Sequence, residues 1–452
     1  MKRVGVISLG CAKNLVDTEV MLGHLARAGC ELVQDPEQAD AIVVNTCGFI
    51  ESAREESIRT ILELGALKAQ GRLRRLVVAG CLVQRHAAEL RAELPEVDAF
   101  IGLDELPGVV AAIGAAAATP LASELPLLSP TAWSRSRYLY DDATPRLRAT
   151  PAWSAYVKIA EGCDHTCAFC AIPSFRGSFR SRQADSVLRE ARALAASGVR
   201  EINLIAQDTS HFGRDREASA GLPELLEQLD GVVELRWIRL HYLYPNSVGP
   251  RLIETMARLP RVLDYVDMPL QHAHRDTLAR MRRGGSADSH LRLLARFRRA
   301  MPEAALRTTF IVGFPGETEA EFSALLEFVR AAEFEHVGVF GYSHEQGTAA
   351  GALVDDVPAA VKRERRERLL ALQQELVFRR NAARVGRRVE VLVEGAHPET
   401  EHLLVGRMRS QAPDVDGQVL INDGEAPPGA FVEVELTEAA GYDMVGRIVA
   451  AA

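Results

Sequence analysis

The stretch that most limits what this chain can be is Lys158-Ile159-Ala160-Glu161-Gly162-Cys163-Asp164-His165-Thr166-Cys167-Ala168-Phe169-Cys170. Three cysteines fall within eight positions, spaced C-x3-C-x2-C, directly after an apolar run, Ala155 to Ala160, that reads as a β-strand. Thiolates this close on one loop reach a single metal centre without long-range folding. A structural zinc site closes with four ligands, and neither a fourth cysteine nor a histidine at finger spacing follows, although His165 lies inside the loop. An iron–sulfur cluster held by three cysteines keeps one iron free for a substrate or cofactor. A structural metal loop, or three unrelated buried thiols, is the bland alternative.

At 452 residues the chain has room for roughly two to four domains with sizeable cores. Hydrophobic residues at 47% and charged residues at 25% are the balance of an ordinary soluble globular protein. A formal net charge of −8 makes no global case for binding nucleic acid or an anionic membrane. Met1-Lys2-Arg3 and the run Val4 to Leu9 are too short for a signal peptide and read as a first strand. The longest apolar tract, Gly108 to Ala122, is broken by Gly114 and Pro120 and predicts no membrane span. Seven cysteines without a secretion signal predict a reducing cytoplasm and metal binding over disulfides.

Residues 1 to about 105 alternate strand-like runs (Val4 to Leu9, Ala41 to Thr46, Leu76 to Gly80) with helical stretches (Leu15 to Ala28, Glu51 to Leu67, Gln84 to Leu94), which predicts an open parallel α/β domain. Cys11, Cys47 and Cys81 each come at the carboxyl end of one of those strands. Ligands bind outside the carboxyl ends of strands in open α/β sheets, so three such thiols can converge, although cysteine is also a common small core residue. Gly10 and Gly80 beside them suit close backbone approach to a bulky group, or an ordinary tight turn. Cys30 is not at a strand end and reads as a core or surface thiol. Residues 106 to 150, rich in Ala, Pro, Ser and Thr, read as a connection with a hairpin near Trp133 to Tyr140.

Strand–helix alternation resumes from Trp153 to about Val377, with strands expected at Ala155 to Ala160, Glu201 to Ala206, Leu235 to Leu240, Leu263 to Met268, Leu306 to Val312 and His336 to Phe340. This predicts a partial (β/α)6 barrel with its chemistry at the strand carboxyl ends. The polar segments Gln207-Asp208-Thr209, His241-Tyr242, Gln271-His272 and Gly313-Phe314-Pro315-Gly316-Glu317 are then site candidates, each individually also a plausible helix cap or turn. Arg176, Arg180 and Arg182 either offset carboxylate or cluster charge or face solvent. Residues 361 to 380 predict a helix with an apolar stripe of Leu369, Leu370, Leu372 and Leu376 and a solvated charged face. Five short strands follow (Val389 to Val393, Leu403 to Met408, Gln418 to Ile421, Phe431 to Leu436, Met444 to Val449), which suggests a small antiparallel β-barrel of the OB type.

Cys163, Cys167 and Cys170 match the loop of the radical S-adenosylmethionine (SAM) superfamily. Leu9-Gly10-Cys11-Ala12-Lys13-Asn14, Asn45-Thr46-Cys47-Gly48-Phe49-Ile50 and Ala79-Gly80-Cys81 resemble the N-terminal domain of its methylthiotransferase family, and the last five strands resemble the family's TRAM domain. The resemblance covers essentially the whole chain and implies a division at 1–115 (second iron–sulfur cluster), 116–150 (linker), 151–382 (radical SAM) and 383–452 (TRAM). It implies two [4Fe-4S] clusters, one on Cys163, Cys167 and Cys170 that binds and cleaves SAM, one on Cys11, Cys47 and Cys81 that delivers the methylthio group. The Ala-Gln-Asp, Pro-Leu-Gln-His and Gly-Phe-Pro-Gly-Glu signatures imply SAM contacts at Gln207, Asp208, Gln271, Gly313 and Glu317. A flavodoxin or ferredoxin is the implied electron donor.

One branch of the family modifies an adenosine in tRNA, the other the β-carbon of an aspartate in ribosomal protein S-twelve. From Asn381 to Ala452, six basic residues stand against twelve acidic ones, so this segment carries −6 of the chain's charge. An acidic barrel repels RNA and attracts a basic ribosomal protein, unless the acidity merely follows an acidic proteome. Leu-Gly-Cys-Ala-Lys-Asn and Cys-Gly-Phe-Ile-Glu-Ser-Ala also resemble the ribosomal-protein branch. The alternatives are a tRNA methylthiotransferase and a non-catalytic iron–sulfur protein that docks on the ribosome.

Overall fold

The computed structural model describes residues 2–115, 136–216 and 221–451. The first segment forms one parallel sheet from β1 (Arg3–Ser8), β2 (Glu31–Leu32), β3 (Ala41–Thr46), β4 (Arg75–Gly80) and β5 (Ala99–Ile101), in the order β2-β1-β3-β4-β5. β3 is buried along its whole length and lies at the centre. Ile42, Val44, Leu76 and Val78 point to one face, against α2 (Glu51–Ala69) and α3 (Cys81–Glu93). Ala41, Val43, Val77 and Ala79 point to the other, against Met21 and Leu25 of α1 (Ala12–Arg27). Each large aliphatic side chain buried this way stabilises the sheet by about 1.5–3 kcal/mol. The sequence pattern missed β2 and β5, whose two and three residues are too short to show a period.

The six expected barrel strands are present as β6 (Ser154–Lys158), β9 (Glu201–Ile205), β10 (Trp237–Leu240), β11 (Tyr265–Asp267), β12 (Ala305–Val312) and β13 (His336–Gly341). The run read as one strand over 155–160 breaks at Ile159: Ala160–Glu161 (β7) turns to pair antiparallel with Arg180–Ser181 (β8). The six strands run parallel in the order β6-β9-β10 and β11-β12-β13, joined through the bridge Ile238–Val262. Alternation decides the two faces of this wall. Ala155, Val157, Ile202, Leu204, Ile238, Leu240, Leu306 and Phe310 pack outward against the helices. On the other face the side chains contact one another as polar and aromatic pairs: Arg239 with Glu201, Arg307 with Asp267, His241 with Asn203, and Tyr265 against His241 and His336. The barrel interior is polar, unlike the branched aliphatic layers that fill complete (β/α)8 barrels.

The last strands, β14 (Arg388–His397), β15 (Thr400–Met408), β16 (Val419–Asp423), β17 (Phe431–Ala440) and β18 (Asp443–Ala451), close in the order β14-β15-β16-β18-β17. Four seams are antiparallel, but β16 and β18 run parallel, a departure from the all-antiparallel expectation. The cause is topological: β17 pairs with both β14 and β18, so β18 returns beside β16 in the same direction. This small barrel seats on the amino ends of the central strands. Leu392 and Ala412 join Trp237, Leu263, Tyr265 and Ala305 in one cluster, and Arg407 and Arg239 grip the buried Glu201 from two sides. Burial alone would raise the Glu201 carboxyl, but the two arginines outweigh it and hold its pKa at about 2.

The helix Ala359–Ala382 carries the expected apolar stripe, with Leu369, Leu372 and Leu376 buried. Its charged face is not wholly solvated, however. Arg365 is buried and reaches the Glu317 carboxylate and backbone carbonyl, because Glu317 needs a cation once its turn is covered. Residues 116–135, including the first part of the expected hairpin near Trp133, lie outside the described residues. The remainder, 136–140, forms no strand. The Asp104 carboxylate accepts from the Ser136 hydroxyl and from the backbone N–H groups of Arg137 and Tyr138, each at 2.7 Å, and Arg146 ties Glu19 of α1 to Glu190 of the barrel layer. No described helix is long and apolar enough to cross a membrane.

Candidate active site

β1, β3 and β4 are neighbours in one parallel sheet, so their carboxyl ends lie side by side and bring Cys11, Cys47 and Cys81 to one edge. Cys11 caps the start of α1 and Cys81 opens α3, where backbone N–H groups are free to favour a thiolate. The glycines beside these thiols allow close packing of the three loops on one another. A Cβ on Gly10 would fall 2.8 Å from the Cβ of Cys47, and one on Gly80 would overlap the Asn45 amide oxygen. Gly80 also has φ +99°, which side-chain-bearing residues rarely adopt.

Asn14 knits the edge together: its amide donates to the carbonyls of Leu9 and Thr46, and the Cys81 thiol lies 3.3 Å from its Oδ1. Burial pushes the Cys81 pKa up to about 12 against the pull of Arg176, with charge on Cys11 and Cys47 adding to the rise. Burial also raises Cys47. Crowding opposes ionisation of Cys11 too, but Lys13, Arg176 and the backbone N–H groups of Asn14 and Lys13 outweigh it, and its pKa is lowered although the side chain keeps an exposed face. Cys30 stands apart from both thiol sets, beside Lys2, as expected.

Cys163, Cys167 and Cys170 occupy the loop after β7. Cys163 N–H donates to Gly177 O at 3.1 Å and Cys170 N–H to Cys167 O at 3.1 Å, so the loop closes on its own backbone. Gly162 stands at φ +80°, and a Cβ there would overlap the carbonyl oxygen of Ser178. His165 is a buttress: its Nε2 lies 2.7 Å from Asp208 Oδ2, and its ring stacks on Tyr244 with centroids 3.7 Å apart. Arg283 lies over the other neighbour, with its guanidinium 4.4 Å from the Tyr244 ring and Nη1 3.4 Å from Cys167 Sγ. Burial raises Cys163 to about 12 and Cys170 further, and the neighbouring thiols reinforce both shifts.

A buried ionic quartet lies between the two thiol sets. Lys158 pairs with Asp17 and, at 2.7 Å, with Glu161. Arg176 lies 2.9 Å from Glu161, 3.1 Å from Asp17 and 3.0 Å from Cys81 Sγ. Two cations balance two anions, so four charges persist in an apolar setting. Of the three arginines after the thiol loop, Arg176 and Arg182 are buried, the latter with Glu190 and Ser186, and Arg180 is half-buried over the carbonyls of Arg176 and Ser178.

The expected SAM contacts divide. Gln207 donates to Glu161 at 2.6 Å, while its own Oε1 is buried with no protein partner. Gln271 stands at φ +70° at a strand end, as does Tyr242 at +60°, under the Lys13 ammonium 3.3 Å from its ring centroid. Such non-glycine conformations cost on the order of 1–3 kcal/mol each and cluster at sites of function. Asp208 spends its carboxylate on His165 and Ser210. Glu317 accepts from the backbone N–H groups of Gly313 and Phe314 and faces His272 and Arg365, so it pins its own turn. A third ligand-like group, His274, Asp276 and Glu321, is already committed: Arg280 neutralises Glu321 and His274 caps its helix.

Each set brings three thiols, which fits a [4Fe-4S] cluster with one open iron. The unpartnered Gln207 acceptor beside the second set fits a ligand rich in N–H and O–H donors, as SAM is.

Three family models match separate stretches of the chain. Residues 3–102 match the model of the Uncharacterized protein family UPF0004, 157–329 the Radical SAM superfamily and 385–449 the TRAM domain. The chain is 53% identical over 99% of its length, and 93% of the relative's, to the ribosomal protein uS12 methylthiotransferase RimO of Anaeromyxobacter sp. (strain K). It is 46% identical to the protein of that name from Geobacter sulfurreducens, with 99% of both chains covered. Among solved structures it resembles the radical S-adenosylmethionine methyltransferase TsrM from Kitasatospora setae, at TM-score 0.56 and 14% identity over 77% of each chain, a likeness of fold.

Proposed function

The chain belongs to the RimO family of ribosomal protein uS12 methylthiotransferases, within the radical SAM superfamily, and on that premise we infer that it transfers a methylthio group to the β-carbon of an aspartate in uS12. The observation that carries this reading is full-length identity of 53% to a relative of that name, in a chain that presents two separate three-thiol sets. When bound, two [4Fe-4S] clusters and SAM supply the hydrogen-abstracting radical and the methylated sulfur, because no side chain can activate an unactivated CH2 at neutral pH.

The residue roles are part of the proposal. Cys163, Cys167 and Cys170 hold the SAM-binding cluster, and Cys11, Cys47 and Cys81 hold the cluster that carries sulfur. Gln207 and Gln271 contact SAM, with the Gln207 acceptor orienting a donor group. Asp208 acts through His165, which keeps the thiol loop in place, and Glu317 acts through the Gly313 turn it pins. The chain divides into units at 1–115, 151–382 and 383–452. Electrons come from a flavodoxin or ferredoxin, the setting is the cytoplasm, and the acidic terminal barrel favours a basic protein over RNA. Part of that acidity is used internally, since Glu390 pairs with Arg236 and Asp416 lies 3.4 Å from Arg307.

Mass spectrometry on cells with and without this gene, scoring uS12 and bulk tRNA together, tests the reading. The expected result is a methylthio group gained on the uS12 aspartate. Methylthioadenosine changing in tRNA while uS12 stays the same would overturn the choice of substrate.

A further inference from the structure

Arg176 is 3% exposed and belongs structurally to one thiol set while touching the other. It follows Cys170 by six residues, and the carbonyl of its neighbour Gly177 accepts the Cys163 N–H that closes the barrel loop. Its guanidinium points away from that loop into the N-terminal domain. Nη2 lies 3.0 Å from Cys81 Sγ, 2.8 Å from Asn14 Oδ1 and 3.1 Å from Asp17 Oδ2, while Nη1 lies 2.9 Å from Glu161 Oε2. Its two carboxylate partners leave further N–H donors on the guanidinium fork, which go to Asn14 and Cys81. The contact with sulfur strengthens when the sulfur is anionic.

We propose that Arg176 is a positioning residue that couples the two thiol sets: anchored by Glu161 beside the barrel loop, it donates to the Cys81 sulfur and thereby sets the reduction potential of the N-terminal cluster. The inference rests on the assignment of that cluster to Cys11, Cys47 and Cys81. Hydrogen bonds to the sulfurs and local charge tune iron–sulfur potentials. A donor stabilises the reduced, more negative form, so its loss lowers the potential. A lysine keeps the charge but not the planar fork that serves sulfur, amide and carboxylate together.

The test is an EPR-monitored redox titration of reconstituted full-length protein in two backgrounds. With Cys163, Cys167 and Cys170 replaced by alanine, only the N-terminal cluster remains. Arg176→Gln should then lower its potential by on the order of 59 mV, a tenfold change in the one-electron equilibrium. Arg176→Lys should shift it less. With Cys11, Cys47 and Cys81 replaced instead, the same substitutions should move the barrel cluster much less. Loss of iron from the N-terminal site alone in both variants, at an unchanged melting temperature, also supports the coupling. An unmoved N-terminal potential with full iron, or an equal shift in both backgrounds, overturns the role of Arg176 and leaves the cluster assignment standing. Absence of any cluster signal in the first background without an Arg176 substitution overturns both.

Discussion

The two thiol sets reach the same donor chemistry by opposite routes. Cys163, Cys167 and Cys170 come from eight consecutive residues of one loop, whereas Cys11, Cys47 and Cys81 come from three loops spread over seventy-one residues and meet only because β1, β3 and β4 are adjacent. The first is a largely local device, with Cys163 bonded to Gly177 and Cys170 to Cys167, and it is tied outward through Ala168 to Met281 and Ala350 and through side chains. The second is a tertiary device whose geometry depends on strand register and on Asn14, which ties the β1 and β3 ends together. A local site tolerates strain elsewhere in the protein. A distributed one reports the integrity of a whole domain, and this separates the two in experiments that probe metal loading.

The largest effects should fall on chemistry. Cys163→Ala should remove SAM cleavage, with 5′-deoxyadenosine at background by liquid chromatography and mass spectrometry. Cys47→Ala should keep at least some 5′-deoxyadenosine formation while methylthio product disappears. Methylthio product from the Cys47 variant would show that the sets do not divide the work in this way.

Next in size is a control that touches neither set. Glu201 binds Arg239 and Arg407 at the seam with the terminal barrel, and Glu201→Ala leaves both arginines without their buried partner. Breaking such a group costs about 3–5 kcal/mol. Denaturant unfolding should register that loss while iron per folded chain stays constant. Because the folded pKa of about 2 lies below the ordinary 4.5, this contribution is complete above pH 4.5 and fades as pH falls towards 2. Iron lost in proportion to stability would mean that the seam and the thiol sets are not independent.

Gly80 and Gly162 sharpen the comparison further. Both hold a positive φ beside a backbone or amide oxygen that a Cβ would overlap. Alanine at either should cost about 2–5 kcal/mol of local structure. Gly80→Ala should empty the N-terminal set alone and Gly162→Ala the barrel set alone, each losing roughly half the iron, which colorimetric assay and EPR would report. Loss of both clusters from either variant would contradict a separation into local and distributed sites.

The same contrast explains what the sequence made legible. The barrel loop is readable because its spacing is its geometry, and the N-terminal set because each cysteine ends a strand whose apolar run is visible. The ionic quartet was not readable. Lys158 sits in a run that looks apolar, Asp17 in a helix where a lone acid suggests solvent, and their pairing spans 141 residues. Arg176, among three arginines with equal claims, is distinguished only by where its side chain points. Glu317 was legible only in part: the Gly-Phe-Pro-Gly-Glu signature marks it as a candidate site residue, but that its carboxylate also caps the N–H groups of its own turn is set by packing. Pattern reports which face a residue occupies, whereas the partner of a buried charge is set by packing between elements far apart in sequence.

The smallest expected effect concerns one of the supports the local loop takes from outside itself, beside Arg283 on Cys167 and the backbone bonds of Ala168 to Met281 and Ala350. His165 is held on its edge by Asp208 and on its face by Tyr244, so the loop that carries Cys163 and Cys167 is fixed by a hydrogen bond and a stack. Each is worth about 1 kcal/mol. His165→Ala removes both, about 2 kcal/mol, and should slow SAM cleavage by up to roughly thirtyfold, whereas His165→Phe keeps the stack and should recover part of the rate. Neither should alter the N-terminal cluster, since among the described residues no contact of His165 reaches that sheet edge. Equal rates for His165→Ala and His165→Phe would assign the buttress to Asp208 alone. An N-terminal EPR signal that changed with either substitution would mean that the two routes are mechanically joined at His165 as well as at Arg176.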